Sequence, residues 1–352
     1  MKRRVAVFSV VPSPYQRDLF AALAARPELD LQVFYLEAAS PDSPWPEKPL
    51  QSYERILPGF WFSLRGARVH LNWGWPGVGQ FDLVIVNTLM SLTAQILMRG
   101  PLRRKPWIFL GEKLGRRGGW HDHLAAPLHR SAGIAAIGSW AQRDYAERFP
   151  EPKTFCLPYY CELAAFLAQP PPELGAEPVF FFCGQMIARK GVDLLLAEFA
   201  KLERGRLLLV GREAELPEML AAMPSEVRAR IEYAGFQPPE ALPGFFARAD
   251  VFVLPSRYDG WGVVVNQAVG AGLPVICSDQ VGAGHDLVVE GENGVKFTAG
   301  DGPSLGAALR KFVEHPELIA PYGEASRARA KAYTPEAGAA RWVEAIENVL
   351  SA

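Results

Sequence analysis

The chemistry-bearing part of this sequence is concentrated in residues 254–274, which read LPSRYDGWGVVVNQAVGAGLP. The apolar run before it predicts a buried strand, and a helix is expected from near Val263. Between them lies a glycine-spaced loop, DGWG at 259–262. The unpaired N–H groups and the positive dipole end of such a helix start would face an anion. Asp259 could accept hydrogen bonds from sugar hydroxyls. The same pattern also suits an ordinary strand-to-helix turn that binds nothing.

A pair of cations stands at the end of another predicted strand. Residues 183–191, CGQMIARKG, leave that strand and place Arg189 and Lys190 just before a predicted helix. Two positive charges at such a junction could stabilise a diphosphate leaving group. Solvated basic side chains on a loop are the alternative explanation.

Glycines also end two further predicted strands, at LVGR (209–212) and YAGF (233–236). Glycine allows the backbone to approach a ligand closely, so glycines at successive strand ends are expected to line a common crevice. Together with the strand that ends at Cys183, these strands contribute five residues that we assign to the crevice: Gly184, Gln185, Gly211, Arg212 and Phe236.

The composition favours two domains in a reducing compartment. The chain has 352 residues, is 49% hydrophobic, and contains 32 Gly and 30 Pro. No uncharged apolar run reaches the roughly 18 residues of a spanning helix. The basic, apolar N-terminus suits a first buried strand better than a signal peptide. The four cysteines are scattered without metal-binding spacing, so we expect free thiols and a cytoplasmic location.

The two halves of the chain carry opposite charge. Residues 1–160 have 20 basic and 13 acidic residues, a net charge of +7, and residues 161–352 have 17 and 25, a net charge of −8. A solvated loop face is one reading of the basic excess. The other is a surface that meets anionic lipid or an anionic acceptor, which would make the protein peripheral on the inner face of the membrane. Aromatic residues are not interleaved with the basic ones, so a nucleic-acid partner is not expected. The basic residues of this cluster are Arg99, Arg103, Arg104, Lys105, Lys113, Arg116 and Arg117.

Strands alternate with helices along the whole chain, which predicts an α/β protein with two Rossmann-like, doubly wound parallel-sheet domains that face a cleft. The first domain is expected over 1–165 and the second over 176–333, with a linker rich in proline between them. A last helix over 334–352 is expected to pack back on the first domain. Ser139 is a candidate N-cap of a helix, and residues 38–80 predict only short strands and loops.

The residues quoted above, with GQMIARKGVDLLLAEFAKL, ADVFVLPSRYDGWGVVVNQAVGAGLPVI and GENGVKF, resemble the GT-B glycosyltransferases of family 4, glycosyl transferases group 1. The resemblance covers about residues 179–312 and is weaker over the first half. It implies retaining transfer of a sugar from a nucleoside diphosphate sugar without a bound metal. It also implies that the first domain binds the acceptor.

The resemblance gives individual residues their expected roles. Lys190 matches the diphosphate-binding lysine, and Asp259 matches a carboxylate that contacts the donor sugar. The sequence differs from the usual family motif at both of its carboxylate positions. Asp259 stands where the first Glu is usual, and the neutral amide Gln267 stands where the second Glu is usual. Gln185 stands where an arginine is frequent, and Arg189 could replace its charge. The loop and helix start expected to hold the donor comprise Gly260, Trp261, Gly262, Val263 and Val264.

The acceptor is expected at strand ends of the first domain. Tyr15, Gln16 and Arg17 follow the first strand, Glu112 follows a later one, and His121, His123 and Trp140 lie beyond it. His121 is a candidate for acting on an acceptor hydroxyl, and Trp140 for stacking on a sugar, although a core Trp fits equally well. The two His at i, i+2 without a third ligand are not expected to bind a metal.

The sequence therefore predicts a hexosyltransferase-type enzyme of polysaccharide biosynthesis or a related process. Its catalytic residues would be Lys190, Arg189, Asp259 and His121. It would need no cofactor, with a UDP- or GDP-sugar as co-substrate and a glycan, lipid-linked or small-molecule acceptor. No Asp-x-Asp motif is present, which disfavours a metal-clamped diphosphate. The alternatives are a degenerate GT-B protein that binds nucleotide or glycan with little catalysis, and a nucleotide-sugar epimerase.

Overall fold

The computed structural model describes residues 2–39, 48–64, 67–115, 118–170 and 175–351. The chain divides into two compact units, which we call the first domain (Met1–Cys161 with Pro335–Ala352) and the second domain (Glu162–Thr334). Residues 171–174 of the predicted proline-rich linker and two members of the predicted basic cluster, Arg116 and Arg117, lie outside the described residues.

The first domain contains nine strands and five helices among the described residues. The strands are β1 Arg3–Ser9, β2 Leu29–Tyr35, β3 Glu54–Ile56, β4 Gly59–Leu64, β5 Ala67–Asn72, β6 Leu83–Val86, β7 Trp107–Gly111, β8 Gly133–Ala136 and β9 Lys153–Cys156. The helices are α1 Pro14–Ala24, α2 Leu92–Arg99, α3 Trp120–Ala125, α4 Ser139–Arg148 and α14 Pro335–Leu350.

Seven of these strands form one parallel sheet in the order β3-β2-β1-β6-β7-β8-β9. The central strands are continuous apolar runs with almost no exposed surface, such as Val5–Phe8 and LVIV in β6. Such runs are typical of parallel strands covered on both faces. The strand order reverses direction between β1 and β6, which is the topological switch point of a doubly wound fold.

The second domain contains six strands and nine helices among the described residues. The strands are β10 Val179–Cys183, β11 Arg206–Val210, β12 Ile231–Tyr233, β13 Val251–Leu254, β14 Val275–Ser278 and β15 Gly294–Phe297. The helices are α5 Ala164–Leu167, α6 Val192–Phe199, α7 Leu216–Ala221, α8 Ser225–Arg228, α9 Leu242–Phe246, α10 Val264–Ala271, α11 Gly284–Leu287, α12 Gly302–Glu314 and α13 Ile319–Ala330.

The sheet of the second domain is parallel, with the order β12-β11-β10-β13-β14-β15. Its strand order reverses between β10 and β13, so the loops that leave these two strands diverge at the same edge of the sheet. The predicted fold class of two doubly wound parallel-sheet domains is confirmed.

One local prediction was wrong for an identifiable reason. Ser139 is the first residue of α4 rather than its N-cap, which is Gly138 at φ +88°. A side chain that does cap a helix in this domain is Ser91, which accepts from the N–H of Ala94 at the start of α2. The prediction of short strands and loops for residues 38–80 agrees with β3, β4 and β5, and residues 59–64 pair antiparallel with residues 67–72.

The C-terminal helix α14 is joined to the first domain by contacts at both of its ends. Arg3 of β1 makes a bidentate hydrogen-bonded pair with Glu347, at 2.8 and 2.9 Å. Near the start of the helix, Arg341 donates to the carbonyl of Cys156 at the end of β9. Gly338 faces the ring of Tyr160 so closely that a Cβ there would lie 2.3 Å from the Tyr160 Cγ.

A buried ion pair links α1, β2 and β3 of the first domain. Arg17 of α1 donates to both carboxylate oxygens of Glu54 in β3, at 2.9 and 2.6 Å, and the Tyr35 hydroxyl of β2 donates to the same carboxylate at 2.7 Å. The side chain of Glu54 has no exposed surface. Burial by itself raises the pKa of Glu54, but the hydrogen bonds from Arg17, the Gln51 N–H and Tyr35 outweigh it, and the pKa is lowered.

We predict that Gly338→Ala destabilises the first domain, although alanine normally stabilises a helix interior. The overpacked methyl group costs about 1–3 kcal/mol, which outweighs a helix-propensity gain of about 1 kcal/mol. The matched control is Gly244→Ala in α9, where a Cβ meets nothing within 4 Å and stability should hold or rise slightly. Thermal unfolding of the three proteins checks this, and equal unfolding midpoints for both variants would contradict it.

We predict that Glu54→Gln lowers the free energy of unfolding of the first domain by about 3 kcal/mol at neutral pH, because it leaves Arg17 partly buried without its charge partner. Since the folded pKa of Glu54 is lowered, its contribution is present above the ordinary glutamate value of about 4.3 and is lost as the pH falls through the folded value. The difference from wild type should therefore shrink in acid.

Urea unfolding at neutral and acidic pH measures this difference. Glu28→Gln serves as the control because its pair with Arg26 is largely exposed, and such pairs contribute about 0–1 kcal/mol. A Glu54→Gln deficit that is independent of pH would show that the carboxylate charge is not what stabilises the cluster.

Candidate functional site

The candidate site of the second domain lies at the switch point of its sheet. β10 and β13 are hydrogen-bonded neighbours, with Phe180 opposite Val251 and Phe181 opposite Phe252. Because both strands run in the same direction, the segments that follow them, 184–191 and 255–263, begin side by side. These two segments contain most of the donor-site residues predicted from sequence.

The structure brings together two of the predicted catalytic side chains. The Lys190 ammonium lies 2.5 Å from the Oδ2 atom of Asp259, and the side chains are 16% and 14% exposed. The pair has no net charge, and it is partly shielded from water, which strengthens electrostatic interactions relative to a surface pair. An ammonium has three donors, so the bond to Asp259 leaves two N–H groups of Lys190 for another acceptor.

The neighbouring cations are held by backbone and carboxylate groups of the same segments. Arg189 is exposed, and one of its guanidinium nitrogens donates to the carbonyl of Tyr258 at 3.0 Å. Arg257 forms a bidentate pair with Asp193 at the start of α6, with both distances 2.7 Å. The hydrogen bond from Arg257 lowers the pKa of Asp193 and raises that of Arg257. Arg257 also donates from its backbone to the carbonyl of Arg189, so it ties the two segments together.

Two glycines allow the segments to come close. Gly191 follows Lys190 with φ +74°, and a Cβ there would lie 2.0 Å from the carbonyl oxygen of Pro255. Gly211 at the end of β11 has φ +140°, and a Cβ there would lie 1.8 Å from the Gly184 carbonyl oxygen. Both positions need glycine for conformation as well as for space.

The start of α10 presents backbone N–H groups at the same edge. Gly262 has φ +89°, Val263 is the N-cap, and no side chain caps the helix. The first N–H groups of a helix have no acceptor within it, so those near Val263 and Val264 are oriented as an anion site requires. Gln267 follows one turn later and is partly exposed.

The segment after β13 is fixed by a second loop. The Asp259 N–H donates to the carbonyl of Gln280, and the Gly282 N–H donates to the carbonyl of Asp259. Trp261 is 1% exposed, with its indole N–H donating to Asn266 at 2.8 Å, so its ring belongs to the core and only its backbone is available to a ligand.

The other predicted donor residues take varied positions. The backbone N–H of Gly184 donates to the carbonyl of Val210, and the carbonyl of Arg212 accepts from Met186. The carbonyl of Gln185 accepts from Ile187. Phe236 exposes 44% of its side chain at the end of β12.

Sequence reasoning missed two residues of this region. Arg257 was not assigned a role, although a cation directly after a strand end is a usable signal. Ser256 is fully buried, and its hydroxyl has no hydrogen-bond partner among the described residues. No sequence pattern marks a buried unpaired hydroxyl.

The first domain has a separate cavity of about 910 Å³ at the carboxyl ends of β6 and β7. Of the predicted acceptor and catalytic residues, Glu112 and His121 line it. His121 is exposed on α3, with its ring 3.9 Å from that of Trp120. Asp122 and Arg148 also line the cavity.

Tyr159, which sequence analysis did not single out, also lines this cavity. Its ring packs edge-on against Tyr15, with the centroids 5.0 Å apart. Burial raises the pKa of the Tyr159 hydroxyl, and the nearby Glu112 carboxylate, to which it is hydrogen-bonded, raises it further. Tyr159 therefore connects Tyr15 with Glu112.

The remaining predicted acceptor residues do not line this cavity. The Gln16 side chain is buried and accepts from Ser9 and Ser13, each at 3.1 Å, and Arg17 is paired with Glu54. His123 is exposed on α3. The Lys113 ammonium lies 4.8 Å from the centre of the Trp140 ring, so one face of that ring is already in contact with a cation.

The described residues contain no group of three or more His, Cys, Asp or Glu side chains placed to hold a metal ion. None of their helices combines the length and apolar character needed to cross a bilayer.

Comparison with solved structures identifies the class of fold. The chain aligns over 99% of its length with all of a sucrose-phosphate synthase from Thermosynechococcus elongatus, at a TM-score of 0.76 and 20% identity. It aligns over 99% of its length with all of the Anabaena protein HepE in complex with UDP, at a TM-score of 0.74 and 15% identity. These are GT-B folds of two Rossmann-like domains.

A family model matches the second domain. Residues 177–315 match the model described as glycosyl transferases group 1. This match agrees with the resemblance noted in the sequence.

Curated relatives are named as glycosyltransferases. The chain is 26% identical over 150 residues to an alpha-D-kanosaminyltransferase from Streptomyces kanamyceticus, covering 41% of this chain and 39% of that protein. It is 26% identical over 280 residues to a GDP-mannose-dependent phosphatidylinositol monomannoside mannosyltransferase from Mycolicibacterium smegmatis, covering 71% of this chain and 72% of that protein. The match to the first relative thus spans about two fifths of its length.

We predict that Gly191→Ala disrupts the candidate site more than Gly235→Ala does. The two glycines have almost the same φ, +74° and +73°, so each substitution carries a backbone cost of about 1–2 kcal/mol. Only at Gly191 would the new methyl group also collide with a backbone oxygen, whereas at Gly235 nothing lies within 4 Å. Thermal unfolding of the two variants measures the difference in stability. Similar losses of stability in both would mean that the segments 184–191 and 255–263 can move apart without a cost in free energy.

Proposed function

We propose that this protein is a retaining, metal-independent glycosyltransferase that uses a nucleoside diphosphate sugar as donor. The observation that carries the proposal is the convergence of Lys190, Asp259 and the open start of α10 at the switch point of the second domain. Each element supplies what a departing diphosphate needs: a cation, a group that holds the cation in place, and unpaired N–H donors.

The charge balance assigns a further role to Arg189. Lys190 and Asp259 together are neutral, and Arg257 is neutralised by Asp193. Arg189 and the dipole of α10 therefore add net positive charge that stabilises a developing diphosphate. Because these groups supply the charge, the proposed transfer needs no divalent cation.

The chemical step we propose is front-side substitution. The acceptor oxygen attacks the anomeric carbon from the side on which the diphosphate departs, and the bond between that carbon and the phosphate oxygen breaks. The departing phosphate oxygen takes the proton of the acceptor hydroxyl, so the configuration of the sugar is retained. The donor-side residues stabilise the negative charge that accumulates on the diphosphate in the transition state.

For the acceptor we propose the cavity of the first domain. Glu112 and His121 line it together with the Tyr159 ring, a mixture of hydrogen-bonding groups and an aromatic surface that suits a sugar. The acceptor is expected to be a glycan, a lipid-linked glycan or a small molecule, and cytoplasmic polysaccharide assembly is the process that such an enzyme would serve.

For the donor we propose a UDP- or GDP-sugar. A structural neighbour binds UDP, and a relative is named as GDP-mannose-dependent. A thermal-shift screen with UDP, GDP, ADP, CMP and TDP in the presence of EDTA would identify the base, because a ligand that binds only the folded state raises its stability. No shift with any of the five would contradict nucleotide binding, and binding without turnover of any donor sugar would favour a degenerate binding protein.

We predict that Lys190→Ala lowers kcat/KM for sugar transfer by roughly two to three orders of magnitude, the scale for removing one preorganised charge donor. The matched control is Arg248→Ala, because Arg248 is also a cation paired with a carboxylate of the second domain but is half exposed, and its partner Glu232 lies in β12, two strands away from β10. That variant should keep activity within a factor of about two. Steady-state assays of nucleotide release measure both, and near-normal activity of Lys190→Ala would remove Lys190 from the mechanism.

A further inference from the structure

The β4–β5 hairpin exposes more large apolar side chain than any other element of the described chain. We use the term aromatic hairpin for residues 59–64 and 67–73. Its large apolar side chains are between 39% and 57% exposed, and they are Phe60, Trp61, Phe62, Leu64 and Trp73. An exposed patch of this kind on a protein surface usually marks an interaction site.

The aromatic hairpin is attached to the first domain by one strand only. β4 pairs with β5 alone, and all six of its residues are exposed. In β5, His70 and Asn72 are buried, and Asn72 donates to the carbonyls of Leu36 and Leu57. The register places Phe60, Phe62 and Leu64 on the opposite face of the hairpin from His70 and Asn72. His70 and Asn72 are buried, whereas these three large apolar side chains face solvent, the reverse of what packing alone would give.

Helix α2 adds a second apolar surface beside the hairpin. The hydroxyl of Thr93 accepts a hydrogen bond from the Asn72 N–H at 2.8 Å and so joins α2 to β5. Leu92 and Ile96, four residues apart and so on one face of the helix, are 41% and 46% exposed.

Exposed positive charge follows α2. The helix ends at Arg99, and the exposed Arg103 and Arg104 follow directly. Residues 59–73 contain no Asp or Glu, and the Arg68 guanidinium lies 4.0 Å from the centre of the Trp61 ring while it pairs with Glu37 at 3.0 Å. Aromatic and aliphatic side chains flanked by arginine are the composition of a surface that binds the interface of an anionic bilayer.

We infer that the aromatic hairpin and the exposed face of α2 dock on a lipid bilayer that contains anionic phospholipid. The side chains of Phe60, Phe62 and Leu64 enter the headgroup region, and Arg103 and Arg104 contact lipid phosphates. A second copy of this chain fits the surface less well, because a symmetric contact would place the same basic residues opposite each other. The inference concerns the first domain and does not depend on the donor chemistry.

Vesicle co-sedimentation tests this inference with the full chain. Vesicles of phosphatidylcholine with about one third phosphatidylglycerol should bind the protein, and vesicles of phosphatidylcholine alone should bind it much less. Phe60→Ser combined with Phe62→Ser should weaken binding by about a hundredfold, since each half-buried Phe is worth about one decade. Leu64→Glu should weaken it by about tenfold or more through a single change at a residue that is 57% exposed and so is expected to leave the fold intact.

The control is Leu50→Ser, an exposed leucine of the same domain outside the hairpin and α2, which should bind vesicles like the wild type. Thermal unfolding identifies any variant that fails to fold. Equal binding by the wild type and the hairpin variants would overturn the inference, as would absence of binding to anionic vesicles. A concentration-dependent dimer in ultracentrifugation that Leu64→Glu abolishes would assign the surface to a second copy of the chain instead.

Discussion

The parallel pairing of β10 with β13 is the constraint on which the candidate donor site depends. These strands are distant in sequence, and their pairing starts the Lys190 segment and the Asp259 segment at the same edge of the sheet. The segments can then approach only because residues 191 and 211 are glycines, where a Cβ would lie 2.0 and 1.8 Å from backbone oxygens. The ion pair between Lys190 and Asp259 is a consequence of this geometry.

Some charged side chains of the site are neutralised by a protein partner, and others can interact with a ligand. Arg257 and Asp193 neutralise each other, and they hold the segment after β13 against the start of α6. Lys190 and Asp259 neutralise each other at the centre of the proposed site. Arg189 and the α10 dipole add positive charge beyond these two pairs, which suits a ligand whose negative charge is spread over two phosphates.

The fold could be predicted from the sequence because its strands are short apolar runs separated by glycine and proline, and such patterns are local in sequence. Lys190, Asp259 and the start of α10 could be predicted for the same reason, since each lies next to a predicted strand or helix. Contacts between residues that are distant in sequence could not be predicted. The pairing of Arg17 with Glu54 and the contact of Tyr159 with Tyr15 and Glu112 depend on how separate strands pack. The Ser139 prediction was wrong because a glycine with positive φ served as the N-cap instead.

The most direct test of the central claim is a crystal structure of the protein with UDP or GDP, whichever binds. We expect the diphosphate at the switch point of the second domain, with a phosphate oxygen about 3 Å from the Lys190 Nζ and others near the first N–H groups of α10. Lys190 would then contact both the phosphate and Asp259. A nucleotide bound at the switch point without contact to Lys190, or bound elsewhere, would show that Lys190 does not bind the donor.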